Sequence, residues 1–295
     1  MPLPDRETAM RVLNDTLESD TSSRSAADVA LQRRYGPHVP DTRGLWNDVL
    51  AGLIGHRSVR SYLPKALPPG TIEIAIAAAQ SAASSSNLQA WSVVVVEDDE
   101  RKSRLADLAG AQAHIRQAPL FLVWLADLSR AERLFQHSGR AGEALPYLET
   151  FLVAVIDAAL AAQNAVVALE SLGLGAVYIG AIRNRPQAVA AELGLPAHVA
   201  PVFGLCVGYP DPATPAQVKP RLGQGVVVHR ERYSADGEKE GIAVYDATLR
   251  RFQEDQSLPA TGWIQAVVNR LGSIAALKGR DKLVEVLRAL GHELR

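Results

Sequence analysis

Short apolar runs alternate with longer stretches of helical spacing along this chain, and the two periods assign most of its elements. Val93, Val94, Val95 and Val96, bounded by Asp98 and Asp99, are too short and too β-branched a run for a helix and predict a buried strand. Residues 119–126, 176–179 and 202–208 predict three further strands. Helices fill the intervals at residues 72–83, 99–109, 145–172 and 186–193, the last opening on Pro186 and stopping at Gly194. Residues 245–253, 263–271 and 281–290 continue the helical period. Toward the N-terminus, residues 5–18 and 26–35 predict two short helices, the second ended by Gly36 and Pro37, before a further helix that runs to Gly55. Strands alternating with long helices, with few hairpin signals, indicate an α/β or α+β layered domain. Residues 1–44 read as an N-terminal extension and residues 45–295 as the main domain.

The stretch 145–172 changes the picture most. From Phe151 to Leu172, Ala, Val, Ile and Leu cover nearly the whole helix circumference, and one sheet cannot cover every face. A second layer is required, from within the chain or from a partner subunit, and the pattern favours a dimer. Asp157, Gln163, Asn164 and Glu170 interrupt the stretch and argue against a membrane span.

Thirty-one basic residues against 32 acidic ones leave a net charge of −1, so no global field points to nucleic acid or an anionic membrane. Cys206 is the single cysteine, which excludes an internal disulfide and a thiolate metal cluster, and its apolar surroundings in sequence suggest a buried structural thiol. The first residues lack the apolar stretch of a secretory signal, so a cytoplasmic protein is expected. The seven histidines are scattered without a metal-binding pair, and no Gly-x-Ser-x-Gly elbow is present, so neither metal nor serine-triad catalysis is expected.

What remains is a set of oxyanion anchors and polar loops. Gly55 precedes His56, Arg57, Ser58, Val59 and Arg60, a pentad whose two guanidinium forks match phosphate oxygens and stay charged. On its own the pentad reads more readily as a solvated basic turn than as an anchor, since charge clusters are usually just surface. A second rigid basic turn, Lys219, Pro220 and Arg221, follows the last predicted strand. Ser84, Ser85, Ser86, Asn87 and Gln89 form a polar loop able to bond a heterocycle or a ribityl chain, or simply to cap a helix. Gly173, Gly175 and Gly180 flank the strand that carries Tyr178 and Ile179, allowing close approach of backbone to a ligand. No self-sufficient acid, base or nucleophile emerges, which suits a protein whose bound cofactor carries the chemistry.

In order and spacing, four segments resemble the oxygen-insensitive nitroreductases of the larger, NADPH-preferring type, related to bacterial flavin reductases. They are Gly55 to Arg60, Ser84 to Gln89, residues 155–184, and residues 203–208 continuing to Arg221. The resemblance implies an α+β fold with a central, mainly antiparallel sheet flanked by helices, and an intertwined homodimer with FMN at each end of its interface. By position, His56, Arg57, Ser58 and Arg60, joined by Lys219 and Arg221, hold the FMN phosphate and ribityl region. Ser84, Ser85 and Ser86 lie along the flavin, Gln112 contacts the isoalloxazine edge, and backbone groups of Tyr178, Ile179 and Gly180 face its redox-active side. Relatives carry a second glycine where this chain has Ala181, whose methyl group would crowd the flavin. Arginines that grip the NADPH 2′-phosphate in relatives have no counterpart in residues 255–260, leaving Arg250 and Arg251 as substitutes and NADPH or NADH as donor. The implied reaction is ping-pong: NAD(P)H delivers hydride to flavin N5, then a small-molecule acceptor, a nitroaromatic or a quinone, takes the same place. No side chain is expected to act as a catalytic acid or base. A flavin reductase that uses FMN as a diffusible substrate and a non-catalytic FMN-binding module are the alternatives.

Overall fold

The alternation of apolar side chains along four short runs builds a sheet with two buried faces. The computed structural model of the chain describes residues 25–295, so the helix expected over residues 5–18 lies outside the described residues. Strands β1 (Trp91–Val96), β2 (Leu120–Asp127), β3 (Gly175–Ile179) and β4 (Val199–Gly208) lie in the order β1-β2-β4-β3, and every neighbouring pair is antiparallel. All eight residues of central β2 are buried. Phe121, Val123 and Leu125 point to one face, where they meet Leu105, Ile115 and Val189 from helices. Leu120, Leu122 and Trp124 point to the other, against Ala161, Ala165, Val166 and Leu169 of the long helix Leu148–Ser171. Each large side chain so buried contributes roughly 1.5–3 kcal/mol relative to leaving it exposed.

The expected strands and helices are present, with instructive shifts at their ends. β4 begins at Val199, three residues earlier than expected, and runs through Pro201. Proline cannot donate to a ladder. β3 pairs only with Gly204 to Gly208 on one side of β4, and the register against β2 shifts between Trp124 and Leu125, opposite the proline. The long helix starts at Leu148 rather than residue 145, because Pro146 disfavours helical backbone at Leu145. The helix expected over 245–253 spans Glu238–Asp255, opening after Gly237, whose φ of 74° provides the turn. Its first turn, Glu238, Lys239 and Glu240, carries no apolar signal. At the C-terminus, 281–290 divides into a tight turn at Arg280–Lys282 and a helix at Leu283–Ala289.

The long helix is long and apolar enough to cross a membrane. One of its faces, however, packs on the sheet and carries the buried carboxylate of Asp157. Leu148, Leu152, Ile156 and Leu160, spaced by four residues, remain 43–54% exposed on another face.

The chain forms two compact units: the described part of Met1–Arg57 with Gln217–Ala276, and Ser58–Ala216 with Leu277–Arg295. The sheet lies wholly in the second. The first is helical, comprising Ala26–Tyr35, Asp48–Ile54, Gln224–Val227, Glu238–Asp255 and Gly262–Leu271. In it, buried Asp246 accepts from Arg250 Nε at 2.8 Å and from the Ile264 amide at 2.8 Å, joining the last two helices.

Candidate functional site

In the first unit, the two basic turns are held to a common guanidinium. Arg34, on the extension helix Ala26–Tyr35, is only 5% exposed. Its Nε and Nη2 donate to the Ile54 carbonyl at 3.1 and 2.7 Å, Nη2 also donates to the His56 carbonyl at 2.5 Å, and Nη1 donates to the Lys219 carbonyl at 2.6 Å. The Arg221 amide donates back to the Arg34 carbonyl at 2.8 Å. Tyr245 Oη donates to the Pro220 carbonyl at 3.1 Å, and burial pushes its phenol pKa up, so it stays a neutral donor. His56 and Arg57 are thereby gathered with Lys219 and Arg221. The side chains of Arg57, Lys219 and Arg221 are exposed, and neither Arg57 nor Arg221 pairs with a carboxylate among the described residues.

The arginines weighed for a nicotinamide phosphate differ in their surroundings. Arg250 is committed to Asp246 and to the Ala260 carbonyl at 2.9 Å. Arg251 is exposed and lines, with Arg33, Gln217 and Phe252, a pocket of about 360 Å³.

In the second unit, the rest of the pentad is fastened to β3. Ser58 bridges Ala176, and the Val59 amide donates to the Ala176 carbonyl at 3.0 Å. This approach requires Gly175, because a Cβ there would stand 2.5 Å from Val59 Cγ2. Arg60 is exposed beside His114, whose Nε2 is buried without a hydrogen-bond partner. Burial, with Arg60 acting in the same direction, pushes the His114 pKa down, so the ring is neutral near pH 7.

The serine loop is ordered by a residue that sequence reading passed over as a mere interruption of an apolar helix. Asp157, 1% exposed, accepts from Ser84 Oγ at 2.7 Å, from the Ser85 amide at 3.2 Å and from the Ala90 amide at 3.0 Å. Ser84 Oγ also accepts from the Gln89 amide at 2.8 Å, so that hydroxyl serves the loop itself. Ser86, Asn87 and Gln89 adopt left-handed φ values of 48–54°, and Ser85 and Ser86 are exposed. Such backbone persists only where the surroundings over-determine it. The signal that could have found Asp157 is a lone carboxylate on an otherwise apolar helix, since buried acids are nearly always partnered.

Gln112 precedes the short helix Ala113–Gln117 and donates from Nε2 to the Ala109 carbonyl at 3.0 Å. Ile179 is buried at the end of β3, and Gly180 opens a tight turn after it. Tyr178 is 36% exposed, edge-on to Phe203 with ring centroids 5.1 Å apart. Ala181 is partly buried and packs against the core cluster on one face of the sheet. Among the described residues no group of histidine, cysteine, aspartate and glutamate could hold a metal ion.

In the first unit, arginines without carboxylate partners among the described residues suit an anion, and in the second, an ordered loop of hydroxyls and amides suits a polar heterocycle. A sequence model of the nitroreductase family matches residues 53–209, and one of the C-terminal domain of that family matches residues 219–295. The FMN reductase (NADPH) of Bacillus subtilis (strain 168) is 39% identical over 214 residues, 72% of this chain and 85% of that protein. The oxygen-insensitive NADPH nitroreductase of Salmonella typhimurium is 41% identical over 200 residues, 68% of this chain and 80% of that protein. Among solved structures, NfrA2 of B. megaterium superposes with a TM-score of 0.80 at 37% identity, covering 85% of this chain and 100% of that one. The NADPH:FMN oxidoreductase from Vibrio harveyi complexed with NAD+ superposes at 0.73 with 32% identity, covering 84% and 100%. With its family matches, its relatives and its antiparallel sheet in agreement, the chain belongs to the nitroreductase family.

Proposed function

We propose that the protein is an FMN-dependent NAD(P)H oxidoreductase that reduces nitroaromatics or quinones by a ping-pong reaction. The observation that carries this reading is the gathering of the two basic turns in the first unit, which presents Arg57 and Arg221 without carboxylate partners. The relatives named as FMN reductases and NADPH nitroreductases supply the chemistry that such an anchor serves.

Bound FMN supplies the hydride acceptance and donation that no side chain here can perform. The chain's own residues bind and orient. From the first unit, His56, Arg57, Lys219 and Arg221 would hold the phosphate through guanidinium forks, a point charge and a ring N–H. In the second, Ser58 and Arg60 would bond polar groups of the cofactor, and Ser85 and Ser86, displayed by Asp157 through Ser84, would offer hydroxyls and amides to the ring system. Gln112 and the backbone of Tyr178, Ile179 and Gly180 would border the ring system of the bound cofactor. The exposed ring of Tyr178 beside Phe203 gives a planar acceptor an aromatic surface. The electron donor in this reading is NADPH or NADH, and the enzyme works in the cytoplasm.

The exposed stripe Leu148, Leu152, Ile156 and Leu160 supports a homodimer, since a contiguous apolar face on a long helix is costly to leave in water. The Bacillus relative named FMN reductase favours a second reading in which FMN is a diffusible substrate that leaves in its reduced form; FMN retained in equimolar amount through purification separates the two.

Arg57→Ala and Arg221→Ala test the anchor. Each removes a charge-assisted hydrogen bond of roughly 1.5–3 kcal/mol, so FMN affinity falls about 10- to 100-fold, while the hydride-transfer rate of the residual holoenzyme changes little. Unchanged FMN retention in both variants would sink the anchor.

A further inference from the structure

The extension helix Ala26–Tyr35 lies outside both family matches, which cover residues 53–209 and 219–295, yet its Arg34 touches both basic turns. We propose that Arg34 is a positioning residue of the cofactor-phosphate anchor, which makes residues 25–36 a working part of that site. The inference rests on the reading that the basic turns hold the FMN phosphate.

The geometry is directional. The His56 carbonyl belongs to the peptide unit that leads into Arg57, and the Lys219 carbonyl to the one that leads into Pro220 and Arg221. Fixing both carbonyls on one buried guanidinium fixes where the next side chains set out. Pro220 transmits this constraint because its φ is locked, and the return bond from the Arg221 amide to the Arg34 carbonyl closes the loop at 2.8 Å. A planar fork with five donors spans Ile54, His56 and Lys219 at once, whereas a lysine ammonium is a single point that cannot.

The helix is built to hold Arg34 still. Ser25 and Asp28 form a reciprocal capping box at its start. Gly36 ends it with φ of 59°, and a Cβ there would stand 2.9 Å from Thr248 Cγ2, so the missing side chain lets the extension lie close to the helix Glu238–Asp255. On that same helix, Tyr245 holds the Pro220 carbonyl. Arg34 thus lies inside a braced arrangement rather than on a loose arm.

The test compares FMN with riboflavin, which has the same ring and ribityl chain but no phosphate. Full-length wild type, Arg34→Lys and Arg34→Gln are titrated with each flavin by fluorescence quenching. The expected result is that both variants weaken FMN binding about tenfold or more, the loss of one hydrogen bond to a charged group, while riboflavin binding moves less than about twofold. Equal weakening of both flavins marks a general structural role and overturns the inference, as does an unchanged FMN preference. Wild type that binds riboflavin as tightly as FMN overturns the phosphate-anchor reading itself, an outcome distinct from a preference that survives in the variants. Should both Arg34 variants fail to fold, Tyr245→Phe loosens the same turn more gently. It is expected to lower the FMN-to-riboflavin preference about threefold, and an unchanged preference in it would overturn the inference.

Discussion

Two buried polar side chains of the second unit tie residue chemistry to measurable stability. Asp157 satisfies three donors of the serine loop, so Asp157→Ala leaves the Ser85 and Ala90 amides and the Ser84 hydroxyl without their acceptor. Orphaning buried donors costs about 1–3 kcal/mol each, and partial rehydration of this half-exposed loop reduces the sum. A loss of roughly 2–4 kcal/mol is expected in denaturant unfolding; a loss below about 0.5 kcal/mol would show that the loop does not depend on the carboxylate. His292, 3% exposed, packs edge-on to Phe151 at 4.8 Å and has a buried Nε2 without a hydrogen-bond partner. Burial pushes its pKa down to about 4, and neighbouring His198 acts in the same direction. The folded state therefore favours the neutral ring. Stability from this source is complete above the unfolded value near 6.5, falls as pH drops below it, and levels off below about 4. The shift corresponds to on the order of 3 kcal/mol, and His292→Phe should remove that part of the acid-side decline in melting temperature. A variant that declines as steeply as wild type would assign the acid sensitivity to other groups.

At the scale of elements, the strands were readable because apolar runs are short and β-branched, as in Val93 to Val96, and the period of two survives burial on both faces. Their ends were less readable. The sequence signal stops at Pro201, while the strand tolerates it where β3 no longer pairs and the register shifts. The polar first turn of Glu238–Asp255 and the break before Leu283 carry no apolar period to read. Basic turns and the serine loop were legible as candidate anchors from residue type alone. Arg34 and Asp157 were not, because one sits among charges that resemble solvent-exposed surface and the other among alanines that resemble core; only three-dimensional contact shows what each holds. The long helix is the intermediate case, since its all-round apolarity predicted a covering layer and the exposed stripe shows the face that lacks one. Leu152→Glu together with Ile156→Glu places two charges on that stripe. The expected outcome is a shift from dimer to monomer in light scattering, and a dimer that persists in the double variant would move the interface elsewhere.

For the whole molecule, the helical unit presents exposed cations on two basic turns, and the other unit holds a rigid sheet and an ordered polar loop. Family membership accounts for residues 53–209 and 219–295, and the extension contributes through Arg34 what the family pattern alone does not contain. Protein positions and the cofactor reacts, so the account stands or falls on whether this chain holds FMN and passes electrons through it. The most direct measurement is an anaerobic titration of the FMN-reconstituted, gel-filtered protein with NADPH and, separately, with NADH, following the visible absorbance of the oxidised flavin. The account predicts that flavin stays with the protein and is bleached by about one equivalent of donor, with colour restored when a quinone or nitroaromatic is added. Flavin lost on gel filtration, or retained but unbleached by either nucleotide, would contradict it.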